Sequence, residues 1–347
     1  MRPAHLLSLS VGVPPYAVGQ GEAKAAARGL FGRKALFDRL SGVFDNAGID
    51  QRNIVAPIDW YGRNHGWAER NRIYLEAADA LFLDVARRAI ESAGIQPGDV
   101  DGVVTVSTTG IATPSLDARN SVALGLRPDV RRVPVFGLGC AGGVSGLATA
   151  ARLAAADPGT HWLFVTVETC SISIRLDSDD PAAIVATALF GDGAAAAVVR
   201  AGDERGIAVI EASGEHLWPS TLGIMGWRVE DPGLAVIFDR SIPAFLEANL
   251  APAVESLLAR LGIGFAAVDR LCSHPGGAKV IDALEAALAI PPLDLEREVL
   301  RDHGNMSAPT VFFVLDRLIA RGLPHRTLLT ALGPGFTLAA LSLVTGR

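Results

Sequence analysis

Three short stretches of the chain carry residue types that do chemistry. Cys140 lies in Phe136-Gly137-Leu138-Gly139-Cys140-Ala141-Gly142-Gly143, a glycine-rich turn that follows a strand-like run and opens an Ala-rich helix. A thiol at a helix N-terminus meets unpaired N–H groups and the positive end of the helix dipole, which favours the nucleophilic thiolate. His274 lies in Leu271-Cys272-Ser273-His274-Pro275-Gly276-Gly277, at the end of a strand-like run and before a glycine turn. Asn305 lies in Asp302-His303-Gly304-Asn305-Met306-Ser307-Ala308-Pro309-Thr310, at the start of a helix. Taken singly, each has a plain structural reading: an inert buried cysteine, a surface histidine, a helix N-cap. The first stretch also contains G-x-G-x-x-G at Gly137, Gly139 and Gly142, which leaves open an NAD(P)-binding oxidoreductase. That reading wants an acidic residue at the end of the next strand. Asp157 has the spacing but sits in the loop Asp157-Pro158-Gly159, so the fingerprint is incomplete.

The elements around these stretches recur. Residues 74–93 have apolar positions at helical spacing and end at Gly94, a natural C-terminal stop. A buried strand is expected over 100–107, a second over 131–136, an Ala-rich helix over 140–156 and a third strand over 161–168. Gly94-Ile95 followed by Val100-Asp101 returns as Gly262-Ile263 followed by Val268-Asp269, an offset of 168 residues. The same offset carries Cys140 to Ala308, just past Asn305, and the strand at 161–168 onto 329–336. The chain therefore reads as one βαβ-rich unit used twice, divided into residues 1–205 and 206–347. Equivalent turns of two fused α/β halves meet at a shared centre. That places Cys140, His274 and Asn305 together.

Composition narrows the class. Of 347 residues, 50% are hydrophobic and 20% charged, enough for a large core. The net charge of −6 and the lack of a basic cluster argue against nucleic acid as a partner. Three cysteines without a CxxC form neither a disulfide framework nor a cysteine zinc site, which suits a reducing, cytoplasmic setting. The longest uncharged stretch is broken by Gly333-Pro334-Gly335, so no membrane span is expected.

The wording and order of GCAGG, SHPGG, GNMSAPT and GPGFT resemble the type III polyketide synthases, chalcone-synthase-like members of the thiolase superfamily. FGDGAAAAVV (Phe190 to Val199) and STTGIATPSLD (Ser107 to Asp117) are similar to that family too, so the resemblance spans roughly residues 40 to 345. It implies an α/β fold of the layered αβαβα thiolase type made of two pseudo-repeated halves. It also implies a decarboxylating condensing enzyme. Cys140 would take an acyl starter from an acyl-CoA, His274 would stabilise the thiolate, and His274 with Asn305 would hold the enolate oxygen formed when malonyl-CoA loses CO2. Repeated condensation and cyclisation to a pyrone or resorcinol would follow. CoA thioesters are then substrates, with no metal or redox cofactor, and the assembly is a homodimer.

The resemblance further marks Phe190 as a gate between the CoA tunnel and the cavity, and Gly333, Pro334 and Gly335 as a cavity-shaping loop. Ser307 matches a position that lines the cavity. Thr113 falls where plant relatives carry a methionine that crosses into the partner subunit. Residues 40–50 hold no Lys or Arg, and only Arg39 and Arg52 flank them, unlike the CoA-binding helices of plant relatives. The segments GIATPSLD and PVFGLGCAGG look more like bacterial alkylpyrone and alkylresorcinol synthases, which implies a long-chain fatty acyl-CoA starter. The β-ketoacyl synthase III enzymes share the Cys-His-Asn set and leave a single condensation as the alternative.

Overall fold

The computed structural model describes residues 2–30, 34–175, 180–202 and 206–346. The expected division at residue 205 lies outside the described residues. Among them the strands are β1 (Ala4–Gly12), β2 (Tyr16–Gly19), β3 (Gln51–Ile54), β4 (Val100–Val106), β5 (Arg131–Val135), β6 (His161–Thr169), β7 (Asp192–Ala201), β8 (Ala208–Leu217), β9 (Met225–Glu230), β10 (Gly233–Phe238), β11 (Arg270–Ser273), β12 (Arg326–Gly333) and β13 (Thr337–Val344). The α-helices are α1 (Gln20–Leu30), α2 (Lys34–Leu40), α3 (Gly42–Asp45), α4 (Trp67–Ser92), α5 (Leu116–Leu124), α6 (Gly142–Ala156), α7 (Pro181–Leu189), α8 (Ile242–Arg260), α9 (Ala278–Leu288), α10 (Asp294–His303) and α11 (Thr310–Arg321).

Nine strands pair in the order β11-β12-β13-β8-β1-β7-β6-β4-β5. The two halves of this ribbon of strands join only where Ala4, His5 and Leu6 of β1 meet Ile210, Val209 and Ala208 of β8. Helix α6 packs on β4, β6 and β7 of one half and on β8, β12 and β13 of the other. Helix α11 likewise touches β1 and β7 as well as β11 and β12. The two helices therefore form a central layer with a sheet on either side. Helix α4 covers the outer face of β1, β6 and β7, and α8 with α9 backs the second sheet. The result is the α/β, αβαβα arrangement expected from the resemblance.

The sequence explains these layers. Strand β7, DGAAAAVVRA, is buried along nearly its whole length, as a strand covered on both faces must be. The run of four alanines from Ala194 to Ala197 keeps that layer thin. Helix α6 is rich in Ala and Gly and buried on most of its surface, so two sheets can close on it. Across this central layer Phe164 of β6 packs on Phe312 of α11 at 5.2 Å between ring centres. Each fully buried side chain of this size contributes about 1.5–3 kcal/mol.

The internal repeat is visible in the backbone. Helix α6 begins at Gly142 and α11 at Thr310, and α4 ends at Ser92 and α8 at Arg260, all 168 residues apart. Gly94 and Gly262 both close their helices with positive φ, 69° and 73°. Two expectations shift. Helix α4 starts seven residues earlier than the apolar spacing suggests, because its first two turns are polar. The helix expected at 140 begins as a 3-10 turn over Gly139–Ala141 before α6 proper.

Candidate active site

Cys140 sits in the 3-10 turn that leads into α6 and is half-buried. The turn is held by a hydrogen bond from the Gly139 amide to the Thr108 hydroxyl, 3.3 Å. It is also held by close packing on the second half. A Cβ on Gly139 would lie 2.7 Å from Pro334, and one on Gly333 would lie 2.6 Å from the Leu138 carbonyl oxygen. The Gly333-Pro334-Gly335 turn between β12 and β13 thus presses on the cysteine turn, and only glycine allows that approach.

Asn305 precedes α11 and is 1% exposed. Its amide N–H donates to the Leu189 carbonyl (2.8 Å), and its own carbonyl accepts from the Gly191 amide (3.0 Å). These bonds form an isolated parallel bridge with Phe190. The side-chain Oδ1 accepts from the Ser307 amide (2.8 Å), and Nδ2 donates to the Gly276 carbonyl (3.0 Å). Asn305 is thus not a helix cap: it ties the Phe190 turn to the glycine turn after His274. Ser307, next to it, has φ of 59°, a backbone region that costs a non-glycine residue energy and is held here by the surrounding bonds. One of those bonds runs from the Thr310 hydroxyl to the Ser307 carbonyl, 2.8 Å.

Cys140, Phe190, Asn305, Ser307 and Pro334 line one cavity of about 30 Å³. On this measure a water takes ~10–15 Å³, so the free space holds about two. Cys170 also faces it, and the hairpin of β9 and β10 closes the other side with Met225, Trp227 and Phe238. The Phe190 and Trp227 rings lie 5.9 Å apart.

His274 is not among the residues that line this cavity; it precedes the Gly276 turn to which Asn305 is bonded. Its backbone amide donates to the Thr330 carbonyl at 2.8 Å, fixing the end of β11 against β12. The imidazole is 5% exposed, and neither ring nitrogen has a hydrogen-bond partner among the described residues. A buried polar ring left unpaired is unfavourable and is a common mark of a site awaiting its ligand. Burial lowers His274 to about 4, so the ring is neutral at neutral pH. Burial pushes the Cys140 thiol up to about 11, against a pull from the Ser307 hydroxyl. The free protein thus holds a thiol beside the helix start, where the helix dipole alone suggested a thiolate.

Thr113 lies apart from the other marked residues. It does not line the Cys140 cavity of its own chain. It sits in a separate surface hollow with Ile111 and Phe136, which are 55% and 64% exposed. The reason is the course of the 107–115 segment, which leaves β4 toward α5 and the outer surface. Gly333 and Gly335 shape the loop, but only Pro334 of the three reaches the cavity. His303 packs its ring on Phe313 at 4.8 Å, and Asp302 pairs with Arg301 and Arg317.

The dinucleotide reading fails on packing. Gly143 faces the Ala308 carbonyl, where an added Cβ would lie 2.4 Å away, so this glycine lets α6 meet the segment before α11. Two glycines of the fingerprint itself are packed tightly as well, Gly139 on Pro334 and Gly142 on Val106, each at 2.7 Å from an added Cβ, so they serve contacts inside the protein.

Comparison with known proteins decides the family. The model for the N-terminal domain of chalcone and stilbene synthases matches residues 63–203, and that for their C-terminal domain matches residues 209–345. The chain belongs to the chalcone and stilbene synthase family. It is 37% identical over 312 residues to a 1,3,6,8-tetrahydroxynaphthalene synthase of Streptomyces peucetius, covering 87% of this chain and 82% of that relative. It is 28% identical to an alpha-pyrone synthesis polyketide synthase-like protein of Mycobacterium tuberculosis, over 96% of this chain and 89% of the other. Its fold superposes on the crystal structure of 1,3,6,8-tetrahydroxynaphthalene synthase from Streptomyces coelicolor, a bacterial type III polyketide synthase. The TM-score is 0.93 at 30% identity, over 99% of both chains. The match to PKS-I of the brown alga Ectocarpus siliculosus has a TM-score of 0.94 at 26% identity, over 100% and 99% of the two chains. The protein is therefore a type III polyketide synthase, a decarboxylating condensing acyltransferase, and members of this family draw on CoA thioesters.

The sequence marks Glu168, at the end of β6 next to Cys170, as a polar support. Glu168 is fully buried behind Cys140 and accepts from the Thr108 amide and the Thr109 hydroxyl (2.8 Å). Burial raises it to about 7. Met225, Trp227 and Phe238 carry no such mark in the sequence. Their hairpin mixes polar and apolar residues without a clean alternation, and its function as a wall depends on what lies under it. Among the described residues no helix is long and apolar enough to cross a membrane, and no group of His, Cys, Asp and Glu could hold a metal ion.

Proposed function

We propose that Cys140 is the nucleophile that takes the acyl starter from its CoA thioester. His274 and Asn305 act together as hydrogen-bond donors to the thioester oxygen of malonyl-CoA as CO2 leaves. The observation that carries this reading is the bond from Asn305 Nδ2 to the Gly276 carbonyl, which brings the Asn and His segments together at the wall of the cavity holding Cys140. The charge grows on that oxygen in the transition state, and donors held rigidly in a dry site stabilise it most. In the loading step that comes first, the neutral His274 ring takes the Cys140 proton as the thiol attacks the starter thioester and gives it to the departing CoA thiolate; condensation of the enolate with the Cys140 thioester then releases the Cys140 thiolate for the next round. Phe190, at the cavity wall, separates the arriving thioester from the acyl chain. Ser307 and the Gly333-Pro334-Gly335 turn shape the space in which the chain folds.

The starter we propose is a long-chain fatty acyl-CoA, extended by repeated condensation with malonyl-CoA and closed to a pyrone or resorcinol. The apolar lining by Met225, Trp227 and Phe238 supports it. A chain of that length must displace the β9–β10 wall, since the free space holds only about two waters. The small space favours a second reading, a short starter with a polyhydroxylated aromatic product of the tetrahydroxynaphthalene kind, matching the relative at 37% identity. We further assign it to the cytoplasm as a homodimer, with Thr113 and the exposed Ile111 and Phe136 at the subunit contact.

Mass spectrometry of the products from malonyl-CoA with short, aromatic and long acyl-CoAs tests these readings. Pyrones or resorcinols with a long side chain support the first. Product from malonyl-CoA alone supports the second. A single-extension β-keto product assigns a single condensation instead. An intact-mass experiment without acyl adduct on Cys140 overturns the assigned nucleophile.

A further inference from the structure

The His274 ring has no hydrogen bond of its own to hold it, since neither ring nitrogen has a partner among the described residues. Its placement rests on the backbone of β11, which ends at Ser273. That strand lies at the edge of the nine-stranded sheet, with β12 on one side and, among the described residues, no strand on the other. On the β12 side, the His274 amide donates to the Thr330 carbonyl (2.8 Å), and the Thr330 hydroxyl donates to the Ser273 hydroxyl oxygen (3.0 Å). On the open side, a side chain takes the place of a strand: the Ser273 amide donates to Glu296 Oε1 at 3.1 Å.

Glu296 stands in the first turn of α10 and is fully buried. Its second carboxylate oxygen accepts from Arg270 Nη2. A buried ion pair adds little net stability, because taking both charges out of water offsets their attraction. What the carboxylate supplies is an acceptor for a buried strand amide that would otherwise be unpaired. The far end of the same helix is His303, and Gly304 leads from it into Asn305. About 15 Å of α-helix therefore stands between the group that holds the His274 segment and Asn305, the second donor. Leu295, Val299 and Leu300 are buried along it and fix it to the core. The bond from Asn305 Nδ2 to the Gly276 carbonyl (3.0 Å) closes the circuit on the other side of His274.

We propose that Glu296 is a positioning residue for the condensing reaction. By accepting from the Ser273 amide it sets the direction in which β11 delivers His274, so that the imidazole and the Asn305 amide converge on one thioester oxygen. Two donors that share one oxygen must be held to within about 0.5 Å. Glu296 does not touch the substrate; it acts through Ser273, and Arg270 holds its other oxygen. The inference rests on the role assigned to His274 above and deepens it.

Two double variants separate the acceptor from the charge. Both carry Arg270→Met, so neither has the ion pair. One adds Glu296→Gln, whose amide oxygen still accepts from Ser273, and the other adds Glu296→Leu, which has no acceptor. Decarboxylation of malonyl-CoA is measured on protein of native circular dichroism, with kcat and KM determined separately. The Gln variant should stay within about threefold of wild type in both. The Leu variant should lose kcat by about tenfold or more at a KM within about twofold of wild type, the mark of an interaction made in the transition state. Glu296→Asp, which keeps the charge and withdraws the carboxylate by one methylene, should lower kcat in the same way by about fivefold and gives the answer if the Leu variant does not fold. His274→Ala in the same assay separates the two assignments: an unchanged rate there removes His274 from the reaction, and this proposal with it. Where His274→Ala is impaired, equal kcat in the two double variants, or a wild-type kcat in Glu296→Asp, overturns the role of Glu296 and leaves that of His274 standing.

Discussion

The side-chain amide of Asn305 and the carbonyl of Gly276 are joined by a 3.0 Å hydrogen bond, which fastens the start of α11 to the turn that follows His274. One residue thus both lines the cavity and holds the segment carrying the imidazole. Asn305→Ala removes the donor and loosens that turn. The rate of malonyl-CoA decarboxylation should fall by about two to three orders of magnitude. A decarboxylation assay with radiolabelled malonyl-CoA on protein of unchanged circular dichroism measures this. An unchanged rate would leave Asn305 a purely structural tie.

The protonation states of Cys140 and His274 give a pH prediction. With the thiol near 11 and the imidazole near 4, both are neutral at pH 7 in the free protein. Alkylation of Cys140 by iodoacetamide, followed by intact mass, should therefore accelerate about tenfold per unit between about pH 7 and 10. A rate already flat above about pH 6 would reveal a preformed thiolate–imidazolium pair instead.

Contact between the two glycine turns is equally testable. In Gly333→Ala the new methyl would meet the Leu138 carbonyl oxygen at 2.6 Å and push the loop off the cysteine turn. Overpacking of this kind costs about 1–3 kcal/mol. The expected outcome is a lowered Tm together with a loss of condensation of tenfold or more, because Cys140 itself is displaced. Equal kcat/KM with a lowered Tm would show that the turn's position does not matter to the reaction.

Trp227 sets the size of the free space. Trp227→Ala removes a large part of the wall facing Phe190. Relative kcat/KM should move toward longer acyl-CoA starters, read from competition between short and long thioesters. A ratio that does not move places the chain elsewhere in the molecule.

Glu168 predicts how stability depends on pH. Its folded value of about 7 lies above the ordinary 4.5, so the native state holds a proton that the unfolded chain has released. That contribution is fully present below pH 4.5 and is lost as pH rises to about 7, by at most about 3 kcal/mol. His274 and His303, both lowered to about 4, act in the opposite sense: stability rises with pH between about 4 and 6.5. Glu168→Gln removes only the first trend. The Tm deficit of the variant relative to wild type should therefore shrink between pH 5 and pH 8. A deficit constant with pH would mean Glu168 is ionised throughout.

The sequence announces most of the scaffold and little of the cavity. Gly94 and Gly262, and the helix starts at Gly142 and Thr310, follow local rules and repeat at a fixed distance, so the doubled plan is readable. Cys140, His274 and Asn305 are readable because each sits at a turn between a strand and a helix with glycines on one side. Glu296 is not, since nothing local distinguishes a buried glutamate from the surface residue it resembles in sequence. The position of Thr113 in a surface hollow was not readable either, because the resemblance marks its segment but not its course across the surface. The wall formed by Met225, Trp227 and Phe238 depends on contacts with residues more than thirty positions away, such as Phe190, which no local pattern encodes.

The layer made by α6 has a consequence for how the chain reaches its final form. This helix ends at Ala156, yet strands β12 and β13, which cover one of its sides, end at Gly333 and Val344. During synthesis its apolar side stays uncovered until β12 and β13 have left the ribosome, about 170 residues after the helix itself. The first half cannot mature as an independent intermediate, and a ribosome stalled before β12 would hold a product that chaperones must shield.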